Sequence, residues 1–252
     1  MISRRGLLAA VGGGGVVGLI ASRDRRSDLE VARWIRAAAV TRQDAPQLRI
    51  GTPDLVDEWP PGLSRPSIPW RLRNLDLEGD VDRLARFGQN AVLFGEFDAD
   101  VLDDSDLEAT GRTAGFERYD GSIAVRDGIL LMADTTIGLE ALIETGLGTR
   151  PSIAQESHAW PRALELVPEA DATFLSEPAD GHEGELVRCT GLVWNDPVYE
   201  DRVTRFFESV RTARSAEPDI RRDRSDGVTT EWSVDREGSV VVSTGELPWE
   251  TE

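Results

Sequence analysis

Few residues of this 252-residue chain belong to the types that carry catalysis. It contains two histidines, His158 and His182, and one cysteine, Cys189. A Ser-His-Asp site would need a serine on a constrained turn such as G-x-S-x-G, and a zinc site would need several His or Cys ligands; the sequence contains neither pattern. We expect structural roles for both histidines and a buried position in a strand for Cys189. The sequence therefore predicts no catalytic residue, no metal site and no cofactor.

The densest group of carboxylates lies between Glu96 and Glu108. Calcium loops typically follow a D-x-D-x-D-G pattern with a later glutamate. Here Asp98 and Asp100 begin such a pattern, but two apolar residues then interrupt the spacing, and no glycine stands at the bend. We interpret the run as a solvated acidic surface and keep calcium binding as the alternative.

Seven tryptophans against two tyrosines is an unusual ratio. Trp59 and Trp70 flank a proline-rich segment, and Trp160 and Trp249 each precede or follow a proline closely. Exposed aromatic rings can bind sugars or peptides, whereas buried rings hold irregular segments onto a protein body. We expect the second role for most of them.

A G-x-G-x-x-G motif is formed by Gly13, Gly15 and Gly18. It would indicate a dinucleotide-binding turn only if a strand preceded it and a helix and a second strand followed. The next residues are strongly charged, and residues 29–41 have the spacing of a helix rather than a strand. These features speak against a dinucleotide-binding turn as the main interpretation. We keep a flavin-type oxidoreductase that uses these glycines as the leading enzyme alternative, ahead of a hydrolase without a recognisable motif.

The same N-terminal stretch contains the most specific motif of the chain. Arg4 and Arg5 are followed by a glycine and two leucines, which is typical of a twin-arginine export signal. The uncharged run over 6–21 is shorter than the ~20 residues that span a bilayer comfortably. Since no clear A-x-A cleavage site follows, we favour an uncleaved membrane anchor over full release. The export machinery would be a transient partner, and the protein would lie at the membrane or cell surface.

Composition indicates the environment of the protein. The 28 basic residues are all arginine, 46 residues are acidic, and the net charge is −18. At molar salt the Debye length falls to ~3 Å, so dense surface carboxylates no longer repel one another strongly and keep the protein hydrated. This composition predicts a halophilic protein. It argues against nucleic acid as a partner, because binding phosphates needs a basic face.

Hydrophobic periodicity predicts an α+β protein with antiparallel sheets and helices. In the first part we predict helices over 29–41, 80–87, 99–110 and 139–145, with strands over 70–78, 90–97, 116–119, 122–126 and 129–133. In the second part we predict helices over 162–167 and 198–215, with strands over 186–194, 228–234 and 239–243. Asp-Gly and Glu-Gly steps at 127–128 and 237–238 predict tight hairpins.

The order of these signals is similar in the two parts. Strand 90–97 and strand 186–194 each contain a glycine among apolar residues, and each precedes a helix, a turn and a hairpin. Gly121 and Gly227 would then be counterparts, as would Gly128 and Gly238. We predict two related strand–helix–strand–strand halves, the alternative being a chance likeness of hairpin signals.

The export signal, the missing lysine and the phrase AVRDGILLMADT before a helix resemble uncharacterised haloarchaeal extracytoplasmic proteins. The resemblance covers residues 90–245 and the signal, and it implies a duplicated α+β body without an established activity. We expect a signal or anchor over 1–26, a helix, wrapping segment and first strand over 27–89, and related halves over 90–150 and 151–252. The function predicted is a non-enzymatic extracytoplasmic binding or interaction module.

Overall fold

A computed structural model describes residues 28–35, 47–52, 69, 72, 77, 81–96, 98, 100–102, 105–166, 170–178, 181–195, 198–226 and 230–248. Within these residues, twelve strands form one sheet whose neighbouring strands are all antiparallel, and five helices accompany it. The predicted α+β class with antiparallel pairing is confirmed. The predicted signal or anchor over 1–26 lies outside the described residues.

The strands vary in length from four residues to eleven. In chain order they are β1 (Gln47–Gly51), β2 (Val81–Phe87), β3 (Asn90–Gly95), β4 (Ala109–Thr113), β5 (Phe116–Tyr119), β6 (Ile123–Arg126), β7 (Ile129–Met132), β8 (Ala172–Ser176), β9 (Glu185–Asn195), β10 (Val198–Phe207), β11 (Thr230–Glu237) and β12 (Val240–Pro248). Across the sheet their order is β11-β12-β10-β9-β8-β1-β2-β3-β7-β6-β5-β4.

The helices are α1 (Asp28–Ala32), α2 (Thr136–Gly146), α3 (Ile153–Glu156), α4 (Ala159–Glu165) and α5 (Val210–Asp226). Helix α2 begins where the Thr135 hydroxyl accepts a hydrogen bond of 3.0 Å from the Gly138 N–H, a common way to satisfy the free donors of a first turn. None of the helices in the described ranges is long and apolar enough to cross a bilayer.

Helices α1 to α4 contribute side chains to one large apolar core on a single face of the sheet. Trp34, just after α1, makes edge-to-face contacts with Phe94 and Phe116, at ring-centroid distances of 6.2 and 6.1 Å. Trp160 of α4 is also buried there. The predicted packing role therefore holds for these two tryptophans.

Helix α5 lies on the opposite face. Phe206 belongs to the core beneath α1 to α4, while the next residue, Phe207, packs with Ala213 and Ile220 of α5. Successive residues of a strand point to opposite faces, so the two helical layers sandwich this end of the sheet. Towards the other end, a separate cluster that includes Leu72 and Leu102 covers the α5 side of the sheet.

The two flanks of the sheet share one connectivity. Hairpin β2–β3 is followed, after β4 and β5, by hairpin β6–β7, whose last strand pairs with β3. Hairpin β9–β10 is followed, after α5, by hairpin β11–β12, whose last strand pairs with β10. By pairing, β3 thus corresponds to β10, and the predicted correspondence of strands 90–97 and 186–194 is wrong by one strand. The duplication itself stays a prediction.

Both predicted tight hairpins are present. Gly128 and Gly238 adopt positive φ angles of 72° and 60°, between β6 and β7 and between β11 and β12. Glycine adopts such angles without steric cost, which explains the X-Gly signal at each turn. Gly227, the predicted counterpart of Gly121, lies outside the described residues.

Two segments predicted to be helical form strands in the structure. Residues 81–87 form β2 rather than a helix, and residues 198–207 form β10, so that the helix begins only at Val210. Both strands pair on each side with neighbours, β2 with β1 and β3, β10 with β9 and β12. These ladders override the local helical spacing of their apolar residues.

A further predicted helix in the first half is not observed where it is described. Where residues 99–110 are described, they form turns and bends that end in β4, not a helix. Of the predicted strand over 70–78, the structure describes Leu72 and Leu77. Leu72 lies in a turn, where its N–H donates a 2.8 Å hydrogen bond to the Pro69 carbonyl, and Leu77 has no regular structure. Both leucines are fully buried.

Candidate functional site

A cleft of about 320 Å³ opens between α5 and strands β9 and β10. We call it the arginine cleft; its lining residues are Arg188, Thr190, Asp201, Val203, Arg205, Ile220, Asp223 and Arg224. Three guanidinium groups and two carboxylates thus meet around a small apolar surface, in a chain whose acidic residues outnumber its arginines 46 to 28.

The lining residues of β9 and β10 occupy alternate positions of each strand, so their side chains lie on the face of the sheet that α5 covers. Arg188 lies opposite Arg205 in the β9–β10 register, and Thr190 lies opposite Val203. Side chains two residues apart on a strand share a face, so Asp201 also projects towards α5. The intervening residues, such as Cys189, belong to the core beneath the other helices.

The helix supplies the other wall. Ile220, Asp223 and Arg224 are three and four residues apart, which places them on one face of α5. Ile220 and Arg224 are buried, whereas Asp223 is exposed at the rim. The helix starts cleanly because the Ser209 hydroxyl accepts a 3.2 Å hydrogen bond from the Thr212 N–H.

The Glu185 carboxylate fixes the position of the Arg188 guanidinium group. Arg188 Nε donates a hydrogen bond of 2.8 Å to Glu185 Oε1, and Arg188 Nη2 donates one of 3.0 Å to Glu185 Oε2. The Glu185 side chain is fully buried and also accepts a 3.0 Å hydrogen bond from the His182 N–H. A two-point contact of this kind fixes the guanidinium plane more firmly than a single contact would.

Arg205 and Arg224 converge on one hydroxyl. Arg205 Nη1 donates to Ser243 Oγ at 3.3 Å, and Arg224 Nε donates to the same oxygen at 3.2 Å. Arg224 Nη2 also lies 2.7 Å from Asp201 Oδ2. The carboxylate closest to Arg205 is Glu185, whose Oε1 is 3.7 Å from Arg205 Nε and is shared with Arg188. Arg205 therefore has the weakest counter-charge of the three.

Two buried atoms of the cleft have unused hydrogen-bonding capacity. Within the described part of the chain, Asp201 Oδ1 accepts no hydrogen bond and Arg205 Nε donates none. Their side chains are only 7% and 12% exposed, so water cannot compensate freely. Buried polar groups without partners are costly and mark places where a ligand can add stabilising contacts.

Burial also changes the acid–base properties of the cleft. Desolvation, reinforced by repulsion from Arg188, lowers the pKa of Arg205 to about 10. Desolvation raises the pKa of Asp201, although its contact with Arg224 opposes that shift. Arg205 nevertheless stays cationic near neutral pH, so it presents a positively charged guanidinium group to the cleft.

The predicted non-catalytic residues are separated in the structure. His158 is exposed just before α4, His182 is half-buried in the turn before β9, and Cys189 is fully buried in β9. Burial raises the pKa of the Cys189 thiol well above its usual range, which keeps the thiol protonated and unreactive. The predicted apolar strand position of Cys189 is confirmed.

The acidic run forms no ion-binding cage where it is described. Glu96, Asp98, Asp100 and Asp106 are exposed, and the described residues contain no group of three His, Cys, Asp or Glu side chains placed to hold a metal. Arg4 and Arg5 of the predicted export signal lie outside the described residues, as do the glycines of the G-x-G-x-x-G motif.

Sequence reasoning did not find the arginine cleft. Its three arginines come from two strands and a helix, at positions 188, 205 and 224, and no short motif joins them. The local signal is limited to the charged residues of β10, which include Asp201 and Arg205 but also residues outside the cleft such as Glu200 and Arg202. That signal was hidden because the segment had the spacing of a helix.

Comparison with solved structures supports the fold. Crystal form III of TP0453 matches with a TM-score of 0.50 and crystal form IV with 0.49, each at 8% sequence identity. The matches cover 83% of this chain and 93% and 92% of the TP0453 chains. At this identity, form III shows a shared α+β fold and nothing about activity. No family model and no curated protein matches the sequence.

Proposed function

We propose that this chain is an exported, membrane-anchored or cell-surface binding protein of a halophilic archaeon, and that it acts by binding rather than by catalysis. Its binding site is the arginine cleft, and its ligand is a small molecule that carries a carboxylate. The observation that supports this most is that Arg205 and Arg224 both donate hydrogen bonds to the Ser243 hydroxyl, while the carboxylate nearest to Arg205, that of Glu185, is 3.7 Å away.

The chemistry of the lining favours binding. Guanidinium groups remain protonated at neutral pH and present several fixed donors, so they orient and neutralise anions rather than exchange protons. Arg188 is held by Glu185 and Arg224 by Asp201, which fixes donors before a ligand arrives. Because the cleft is recessed, its charges are screened less by molar salt than surface charges are.

The binding site is tested with three small carboxylates, acetate, lactate and glycine, titrated calorimetrically into the full chain at molar potassium chloride. We expect at least one to bind saturably and to bind at least tenfold more weakly to Arg205→Ala. Arg214→Ala is the matched control, since Arg214 is exposed on α5 and does not line the cleft. Identical titrations in the Arg205→Ala variant and the unmodified protein would contradict the proposal.

The location is tested separately. Replacing both Arg4 and Arg5 with lysine preserves the charge but removes the twin-arginine pattern. We expect the variant to accumulate in the cytoplasm, detected by fractionation, while the unmodified chain reaches the membrane fraction. Export of the double variant at the normal level would remove the twin-arginine signal from the proposal and leave the cleft untouched.

A further inference from the structure

The arginine cleft contains balanced charges, and this restricts what it can hold. Arg188, Arg205 and Arg224 face the carboxylates of Glu185, Asp201 and Asp223, so three positive groups meet three negative groups. A bare anion would add a charge to a largely buried site, and a bare cation would do the same. A ligand that carries both charges adds none.

The unused atoms stand at two different places in the cleft. Arg205 Nε is buried and has no acceptor at hydrogen-bond distance among the described residues, since Glu185 Oε1 is 3.7 Å away, so it can donate to a carboxylate of the ligand. Asp201 Oδ1, equally buried, needs a donor, and its other oxygen is already beside Arg224. These needs are opposite in kind, so a carboxylate alone satisfies only one of them.

The spacing suits a compact molecule. Arg205 reaches Ser243, which lies opposite Val203 in the β10–β12 register, and Asp201 lies two residues before Val203 on β10. Two strand residues span about 7 Å, which leaves room between the two ends for roughly one carbon with its carboxylate and amino groups. Val203 and Ile220 form an apolar surface beside this gap.

We infer that the arginine cleft recognises an α-amino acid or an equally compact zwitterion. Its carboxylate lies against Arg205 and Arg224, and its ammonium group donates to Asp201 Oδ1. Its side chain contacts Val203 and Ile220 and extends towards the opening. This inference rests on the proposed function and names the ligand class of the same site.

The test compares glycine with probes that each lack one charge. Calorimetric titrations of the full chain at molar potassium chloride use glycine, acetate, lactate and methylammonium. Acetate lacks the amino group, lactate is larger by a methyl group and replaces the amino group with a neutral hydroxyl, and methylammonium lacks the carboxylate. We expect glycine to bind at least tenfold more tightly than any of the other three.

A variant assigns the two ends. In Asp201→Asn the charge that holds the ammonium is lost, so the advantage of glycine over acetate should fall at least tenfold while acetate binding persists. Asp219→Asn, which removes an exposed carboxylate of α5 that does not line the cleft, should keep the advantage and serves as the matched control.

The outcomes separate the two claims. Equal binding of glycine, lactate and acetate, lost in Arg205→Ala, overturns the zwitterion and preserves the proposed carboxylate site. Absence of saturable binding by every probe overturns both. The relative affinities of the four probes are measured on the unmodified protein. They therefore test the zwitterion proposal even if Asp201→Asn fails to fold.

Discussion

Asp28 and Arg83 form a buried ion pair that joins the first helix to the sheet. Arg83 Nε donates to Asp28 Oδ1 at 3.0 Å, and Thr173 Oγ1 donates to the other carboxylate oxygen at 2.6 Å. The remaining guanidinium donors reach the carbonyls of Asp171 and Ala170 at 3.2 and 3.1 Å. The pair therefore ties α1, β2 and β8 together at one point.

Breaking this pair should destabilise the protein strongly. Asp28→Ala leaves the Arg83 guanidinium buried without its carboxylate, and we expect the free energy of unfolding to fall by about 3–5 kcal/mol. Urea denaturation at constant molar salt measures the change. Asp106→Ala, which removes an exposed carboxylate, should alter stability by less than about 0.5 kcal/mol. Equal effects of the two substitutions would show that the pair contributes little.

The two hairpin glycines should differ in their response to alanine. Both adopt positive φ, which costs a residue with a side chain about 1–2 kcal/mol. A Cβ at Gly128 would also lie 3.3 Å from the Gly95 carbonyl oxygen, whereas one at Gly238 would meet nothing within 4 Å. We expect Gly128→Ala to lower the urea midpoint more than Gly238→Ala. The reverse order would mean that backbone strain, not crowding, decides the cost.

Stability should depend on salt. With a net charge of −18, lowering the salt from molar to 0.1 M extends the Debye length from ~3 to ~10 Å, so exposed carboxylates repel across greater distances. We expect circular dichroism to show loosening or unfolding in dilute buffer and recovery on return to molar potassium chloride. A native spectrum in dilute buffer at the same temperature would refute the halophilic explanation of the composition.

Glu217 links α5 to the edge strand β11 in a pH-dependent way. Hydrogen bonds from Arg221 and Arg236, each 2.9 Å long, lower the pKa of its carboxyl group. Because the folded-state pKa lies below the unfolded-state value, the stabilisation is present above pH ~4.3 and is lost as the pH falls through the folded-state pKa. We expect Glu217→Gln to cost about 0.5–1 kcal/mol at pH 7 and much less in acid.

Urea unfolding at pH 7 and at successively lower pH measures this difference. Asp219→Asn is the matched control, because Asp219 and its partner Arg222 are both exposed on the same helix. A difference between Glu217→Gln and the unmodified protein that stays constant with pH would exclude the carboxyl group as its source.

Sequence patterns predicted the hairpins and the helix after β7, because local chemistry decides them. An X-Gly step needs only a glycine, and α2 shows its own cap and apolar face. Strand β2 could not be predicted in this way, because Arg83 occupies a buried position and finds its carboxylate on a helix far away in the chain. The arginine cleft has the same origin: a sheet register brings its charges together, and that register is set by long-range pairing.

The central strands β1 and β8 carry a consequence for folding. Each flank of the sheet closes on itself through nearby chain segments. In the described part of the chain, the strand ladder that joins the two flanks is the pairing of β1 with β8, for example of Arg49 with Phe174. Contacts between such distant residues carry the largest loop-closure cost and form slowly. The Asp28–Arg83 pair sits beside this seam, bonded to Thr173 of β8. Closing the seam should therefore be the late, rate-limiting step of refolding, after both flanks have assembled.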